Sequence, residues 1–150
     1  MEENLKLKGK IHYVLADADG NIKDEKEIDN LVTNFMKTHV ALQVGTPTAG
    51  SEIGFMAIGS GTGQTAASTD LAKFVDIIAL SGNGGLVAGS NVTYSAYWAA
   101  GVGTNDSIAE AGIFQISGTS RTTLCTYNDT LSINKGASDT LKIDWTVTFG

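Results

Sequence analysis

The sequence has one cysteine, Cys125, and one proline, Pro47, among its 150 residues. A single cysteine excludes an internal disulfide framework and any zinc site built on cysteine pairs. No apolar run approaches the ~18–20 residues that cross a bilayer. The first residues, "MEENLKLKGK", lack the apolar segment of a cleaved signal peptide. The composition therefore predicts a chain without disulfides, without a membrane segment and without a secretion signal.

Charge is scarce over most of the chain. The net charge is −6, and residues 17–29 alone carry six acids and two lysines. From Leu31 to the end, 120 residues hold only thirteen charged side chains. The acidic balance argues against a nucleic-acid partner. A surface of Ser, Thr, Asn and Gly is buried against neighbouring proteins at a small desolvation cost, so the composition favours a homo-oligomeric subunit over a free enzyme.

The most regular pattern in the sequence stands at its end, in "NKGASDTLKIDWTVTF" (residues 134–149). Apolar and polar residues alternate there without a break, as in a strand that is buried on one face. The apolar positions are Leu141, Ile143, Trp145, Val147 and Phe149.

Other segments indicate further strands and one helix. "KLKGKIHYVLADADGNIKDEKEIDN" predicts a hairpin that turns at "DADGN" and returns as a charged edge strand. "NLVTNFMKTHVALQVGTP" predicts a helix over about residues 31–44, with Asn30 as N-cap and Gly45 followed by Pro47 as its stop. The remaining segments alternate as short strands between glycine-rich turns. We therefore predict one domain over residues 1–150, an antiparallel β-sandwich of about 7–9 strands with one helix.

Two loops carry motifs that resemble ligand sites. "GSGTG" (residues 59–63) follows a strand, but Gln64 and Thr65 stand where a phosphate loop needs Lys and Ser/Thr, so we interpret it as a plain glycine-rich loop. "DADGN" resembles the start of a calcium loop, although its glycine precedes the usual position six and no glutamate stands at position twelve. A hairpin turn is favoured there, and weak cation binding by Asp17, Asp19 and Asp24 stays open.

No set of residues forms a recognisable catalytic motif. His12 and His39 have no serine–acid or cysteine partner at a local spacing, and both are interpreted as structural, although a triad assembled in space stays open. Cys125 has Arg121 as its only local basic neighbour and is interpreted as a buried side chain. The remaining candidates are acid pairs and a cluster of aromatics that could form a sugar platform or part of the core: Asp106 with Glu110, Asp139 with Asp144, and Tyr94, Tyr97 and Trp98.

Three segments taken together resemble a group of small virion structural proteins of tailed bacteriophages, often described as tail-fibre-like. "FMAIGSGTGQTAASTDLAKFV" is similar to a "GTG…TD…L" stretch of that group, and "SIAEAGIFQIS" to its "EAG-F" stretch. "INKGASDTLKIDWTVTF" is similar to the group's ending. Its matching positions are Lys135, Asp139, Leu141, Trp145, Thr146, Thr148 and Phe149. The chain departs from the group where Ala72, Lys73 and Phe74 replace a segment that commonly holds a glutamate.

The resemblance implies a non-enzymatic subunit of a virion that is assembled in the host cytoplasm and binds other virion proteins. It implies no catalytic residue, no metal and no cofactor. It also predicts that the terminal strand lies between other strands with its tip tied down. We expect the C-terminal strand and Glu110–Phe114 to support the fold, and the N-terminal hairpin or the Gly59–Thr69 loop to contact a partner. A carbohydrate-binding module that uses Trp98 or Tyr97 is the alternative, and it requires one of these rings to be exposed.

Overall fold

The computed structural model describes residues 6–45, 52–81, 85–117 and 120–150. These ranges contain one helix and eleven strands: β1 Leu7–Ala16, β2 Ile22–Val32, α1 Asn34–Gly45, β3 Ile53–Gly59, β4 Phe74–Ala79, β5 Leu86–Ala88, β6 Asn91–Trp98, β7 Asn105–Ile108, β8 Glu110–Ser117, β9 Ser120–Asn128, β10 Ile133–Lys135 and β11 Thr140–Phe149. The prediction of a mainly-β fold with one helix is confirmed.

Nine strands form one antiparallel sheet in the order β4-β3-β8-β9-β2-β1-β11-β6-β5, and β7 pairs with β10 in a small second sheet. The large sheet curls on itself. After β4, the amide of Leu80 donates to the carbonyl oxygen of Gly54 at 2.9 Å, and the amide of Ser81 donates to that of Ser95 on β6 at 3.0 Å. The two ends of the sheet are thereby brought together around one core, as in a sandwich.

Strand β2 joins the two halves of the sheet by changing its partner. It pairs with β1 as far as Asn30, and its last two residues, Leu31 and Val32, pair instead with β9. At this fork Asn30 lies opposite Gly9, and a Cβ added to Gly9 would overlap the Asn30 side chain. The close approach of the two strands therefore depends on glycine at position 9.

The C-terminal strand β11 lies between β1 and β6, and its tip is fixed. It pairs along its whole length with β1, from Leu7 opposite Phe149 to Ala16 opposite Thr140. The amide of Gly150 donates to the carbonyl oxygen of Lys6 at 2.9 Å, and the amide of Phe149 donates to that of Ser90, also at 2.9 Å. The alternating pattern predicts the inner face correctly, since Leu141, Ile143, Trp145 and Val147 are all fully buried.

The predicted start of the helix is wrong. Leu31 and Val32 are extended and pair with β9, so α1 begins at Asn34. Thr33 acts as N-cap in place of Asn30, because its Oγ1 accepts from the amide of Met36 at 3.3 Å and donates to the carbonyl oxygen of Cys125 at 2.6 Å. The helix ends at Gly45 as predicted, and Pro47 lies outside the described residues.

The helix packs one face on the core, with Met36 and His39 buried and Phe35 and Val40 partly buried. Within the described residues, no helix has the length and apolar character required to traverse a lipid bilayer.

Candidate functional site

The two histidines lie in unlike surroundings. His12 projects from the outer face of β1, where its Nε2 lies 2.8 Å from Glu25 Oε1 and the imidazole is 40% exposed. His39 is buried on α1, and its Nδ1 has no hydrogen-bond partner within the described parts of the chain. Burial lowers the pKa of His39, because the charged imidazolium is poorly solvated there. His39 is therefore held neutral, and His12 forms a surface pair.

Cys125 is fully buried on β9. Burial raises the pKa of its thiol to about 12, so the thiolate is absent at neutral pH and the side chain cannot act as an activated nucleophile. The side chain of Arg121, its predicted basic neighbour, lies outside the described residues.

The glycine-rich loop after β3 binds an anion, and that anion is a carboxylate of the chain itself. Glu110 is fully buried at the start of β8. Its Oε1 accepts from the amides of Gly61 at 3.0 Å and Lys73 at 2.7 Å. Its Oε2 accepts from the amide of Ala72 at 2.9 Å and from Gln64 Nε2 at 2.8 Å. Four donors from one loop therefore satisfy a single buried carboxylate.

A second carboxylate completes the attachment of this loop. Asp129 Oδ2 accepts from the amides of Gly63 and Gln64, each at 3.0 Å. The backbone must approach closely, because a Cβ at Gly61 would come within 2.7 Å of the Lys73 amide nitrogen. The sequence predicted the glycine-rich loop, and it placed Glu110 in a segment that supports the fold, but it did not predict that Glu110 or Asp129 binds this loop. The two acids lie 46 and 65 residues after Gln64 in the chain.

The "DADGN" segment is the predicted hairpin turn. Asp17 Oδ1 accepts from the amides of Asp19 and Asn21, each at 2.9 Å, and Gly20 has a φ of 83°. These bonds lower the pKa of Asp17. Asp24 is directed elsewhere and accepts from the Tyr13 hydroxyl at 2.8 Å. Within the described ranges no group of three or more His, Cys, Asp and Glu side chains is arranged to hold a metal ion.

The acids that the sequence suggested as pairs serve separate structural roles. Asp106 is exposed and accepts from the Ser107 hydroxyl at 3.2 Å, whereas Glu110 is buried under the glycine-rich loop. Asp144 lies on the outer face of β11 and accepts from the Ser95 hydroxyl at 2.6 Å. Asp139 belongs to the turn before β11.

That turn contains a buried lysine. Lys135 is fully buried, and its Nζ donates to the carbonyl oxygens of Ala99 at 3.0 Å and Asp139 at 2.7 Å. The Asp139 carboxylate accepts from Lys23 Nζ at 2.7 Å and from the Gly136 amide at 2.8 Å, and these two bonds lower its pKa. Burial lowers the pKa of Lys135, and the negative charges of Asp139 and Asp76 oppose that shift. Lys135 and Asp139, which both match the phage group, are thus hydrogen-bonded to each other in the turn before β11. We call this pair the clamp at the start of β11.

The aromatic cluster divides between the core and the surface. Trp98 and Tyr94 are buried on the inner face of β6, while Tyr97 is 51% exposed on the outer face. Tyr97 lies opposite Lys142, at one end of a polar face formed by β2, β1, β11 and β6. At the other end of this polar face is a groove of about 700 Å³, lined by Leu7, Lys8, Gly9, Lys10, Asp29, Asn30, Thr146 and Thr148.

An apolar surface lies on the opposite side of the same half-sheet. A groove of about 420 Å³ runs between α1 and the β5–β6 hairpin, with Val40, Val44, Val87, Val92 and Tyr94 among its lining residues. Two of the lining side chains are largely exposed, Val44 at 82% and Val87 at 68%, and Leu86, which precedes Val87 on β5, is 76% exposed. Among the lining Asp, Glu, His, Lys and Arg residues, the apolar groove has His39, and the polar groove has Lys8, Lys10 and Asp29.

No protein-family model matches this chain, and neither the curated proteins nor the solved structures contain a match. The sites described above are therefore interpreted on their own geometry.

Proposed function

We propose that the chain is a non-enzymatic structural component of a tailed-phage virion. In this proposal it is a self-assembling subunit on the particle surface, either a tail or fibre component or a head decoration. It contacts other virion proteins and further copies of itself.

The observation that carries the proposal is the role of the residues on which the resemblance rests. Glu110 of the "EAG-F" segment binds the loop of the "GTG…TD" segment through four hydrogen bonds. Lys135 and Asp139 of the terminal segment clamp the start of β11, and Trp145 is fully buried in the core. The positions that match the phage group therefore stabilise the fold. This is expected if the chain resembles that group in its fold and not in a catalytic site.

The state of the ionisable groups also supports a structural role. His12 is paired with Glu25, Cys125 is buried with a raised pKa, and the Glu110 carboxylate accepts four hydrogen bonds. A general base or nucleophile needs a free lone pair within reach of a substrate. The arrangement of these groups favours packing over catalysis.

The test is the presence and position of the chain in particles of the phage or prophage that encodes it. Mass spectrometry of gradient-purified particles should detect the chain at a fixed copy number relative to the major capsid protein. Immunogold labelling of those particles should then place it on the head or on the tail. Absence from purified particles, together with a strictly monomeric state in solution, would contradict the proposal.

The alternative function, recognition of carbohydrate, is favoured by the exposure of Tyr97. An exposed aromatic ring next to hydrogen-bonding side chains is the arrangement on which a sugar ring can stack. A glycan array should show binding by the unaltered chain and its loss in Tyr97→Ala. Leu31→Ala, which truncates a similarly exposed apolar side chain elsewhere (47% exposed), serves as the matched control. An array without hits for the unaltered chain would rule out this alternative for the glycans displayed.

A further inference from the structure

Strand β5 is the last strand in the order of the large sheet. Its three residues pair with β6, Leu86 opposite Thr93, Val87 opposite Val92 and Ala88 opposite Asn91. In the part of the chain that the structure describes, no strand pairs with its other side. Backbone N–H and C=O groups on that side are available to another strand.

This edge lacks the charges that usually protect such strands. From Ile77 to Asn105 the chain has no Asp, Glu, Lys or Arg, and it has no proline there either. Exposed edges in soluble proteins commonly carry an inward-pointing charge, a lysine or a proline, because these block pairing with a second chain. Leu86 and Val87 instead expose most of their apolar surface.

The charge distribution favours a second copy as the partner of this edge. Each copy carries a net charge of −6, with six acids in residues 17–29 alone, so most approaches of two copies bring like charges together. A two-fold contact places the same patch opposite itself, and a patch without charge avoids that repulsion. A basic partner would instead be attracted to the acidic hairpin of β1 and β2.

We propose that β5 pairs antiparallel with β5 of a second copy about a two-fold axis through Val87. This inference deepens the proposed function, since it names the surface through which copies assemble. Val87 then lies opposite Val87 of the second copy, and Leu86 lies opposite Ala88. The Val87 side chain, which lines the apolar groove beside Val44, is covered by the same contact.

The size of the contact sets the conditions under which it forms. A strand of three residues with its neighbouring apolar side chains buries much less than the about 1,200–2,000 Å² of a stable protein interface. The pairing is therefore weak in dilute solution and forms where copies are concentrated, as they are on a particle surface. A trapping experiment is therefore the most sensitive way to detect it.

Disulfide trapping tests the predicted register. Directly opposed residues of an antiparallel pair have Cα atoms about 4.5–5.5 Å apart, within the range of about 4.4–6.8 Å that a disulfide needs. Val87→Cys should therefore form a covalent dimer at high protein concentration under mild oxidation. Leu86→Cys alone should dimerise about tenfold more slowly, since its partner lies two residues away, and mixing it with Ala88→Cys should restore rapid cross-linking.

Two controls separate specific pairing from random collision. Tyr97→Cys places a similarly exposed thiol on the outer face of β6, away from the edge, and should cross-link at the slow background rate. Val87→Lys and Tyr97→Lys change the net charge equally. Only Val87→Lys should abolish concentration-dependent association in sedimentation equilibrium, because it places two like charges opposite each other.

The outcomes distinguish this inference from the proposed function. If Val87→Cys cross-links no faster than Tyr97→Cys, self-pairing of β5 is wrong, whether or not the chain is found in particles. If Val87→Cys in purified particles forms a disulfide with a different virion protein instead, the edge takes a different partner and the second-copy assignment is also wrong. If the register is confirmed in solution but the chain is absent from particles, the virion assignment fails and the pairing stands.

Discussion

Glu110 has its two carboxylate oxygens hydrogen-bonded to four donors contributed by residues 61–73. Burial of a charge is costly unless hydrogen bonds replace the water that it loses. Here three backbone amides and one side-chain amide replace that water, and in return each amide gains an acceptor. The carboxylate therefore determines the conformation of the loop, and the loop determines the position of the carboxylate.

Replacement of Glu110 by alanine should destabilise the protein strongly. It removes the acceptor of three part-buried backbone hydrogen bonds, and a hydrogen bond to a charged group contributes about 1.5–3 kcal/mol, so we expect a loss of about 3 kcal/mol or more in the free energy of unfolding. Glu110→Gln, which retains one acceptor oxygen, should lose less stability than Glu110→Ala. Urea denaturation measures the free energy of unfolding, and Glu52→Ala at an exposed site should change this free energy by less than about 0.5 kcal/mol. Equal stabilities of Glu110→Ala and Glu52→Ala would contradict this role.

Asp139 should contribute a pH-dependent part of the stability. The Lys23 ammonium and the Gly136 amide hold the pKa of Asp139 below its usual value. Its stabilising contribution is therefore complete above the unfolded-state pKa of about 3.9 and is lost as the pH falls through the lower folded-state pKa. The difference in unfolding free energy between the unaltered chain and Asp139→Asn should shrink below about pH 4. A difference that stays constant from neutral pH to about pH 3 would show that Asp139 is not coupled in this way.

At the scale of elements, the fork in β2 decides how the sheet divides. The side chain of Asn30 lies over Gly9, and its Nδ2 is directed to the Thr126 hydroxyl on β9. One residue thus contacts strands on both sides of the fork. The polar, charged part of β2 was predicted as an edge strand, and among the described strands its residues 22–30 pair with β1 alone, whereas Leu31 and Val32 pair with β9. Its exposed outer side chains gave the sequence pattern of an edge.

Gly9→Ala should destabilise this fork by overpacking. The added methyl group would overlap Asn30, and overpacking in a tight site typically costs about 1–3 kcal/mol. Removal of the obstacle in Gly9→Ala/Asn30→Ala should recover part of the loss, so the two substitutions should couple in a double-mutant cycle. Gly45→Ala, where an added Cβ meets nothing within 4 Å, is the control and should be nearly neutral. Simple additivity of the two changes would contradict the proposed contact.

The start of α1 shows how tertiary contacts override local signals. Asn30 before an apolar stripe is a good N-cap signal, yet Leu31 and Val32 extend β2 to pair with Tyr127 and Thr126. A β-branched valine suits an extended strand, and pairing with β9 uses backbone groups that a first helical turn would leave free. Thr33 then caps the helix three residues later than predicted.

For the molecule as a whole, the curled sheet places β9 and its cysteine in the common core of both halves. Cys125 belongs to the same buried cluster as Ile11, Met56 and Trp145. A reagent can reach such a thiol only when the core opens.

The reactivity of Cys125 should therefore report global unfolding. With its pKa raised to about 12 and its side chain fully buried, the folded protein should react with a thiol reagent at least about 10³-fold more slowly than the urea-unfolded chain. The midpoint of labelling against urea should coincide with that of unfolding by circular dichroism. In Val87→Cys the introduced thiol should react rapidly while Cys125 stays protected. Fast labelling of Cys125 in the folded chain would show local opening of β9.

Local patterns in the sequence determined the inner and outer faces of the strands. The alternation in β11 predicted its buried residues, "DADGN" predicted the first turn, and the lack of charge after Leu31 predicted an apolar and polar-uncharged surface. These features follow from side chains near one another in the chain, where a period of two or a turn residue is sufficient information.

Only the tertiary structure decided which distant groups meet. Glu110 and Asp129 reach the glycine-rich loop, Lys23 reaches Asp139 across 116 positions, and β2 passes from β1 to β9. No local period encodes such contacts, because they depend on how the sheet curls and on which buried charge finds a donor. The edge position of β5 belongs here as well. The sequence shows that β5 and its neighbours lack charged residues, but only the order of strands in the folded sheet places β5 at an edge.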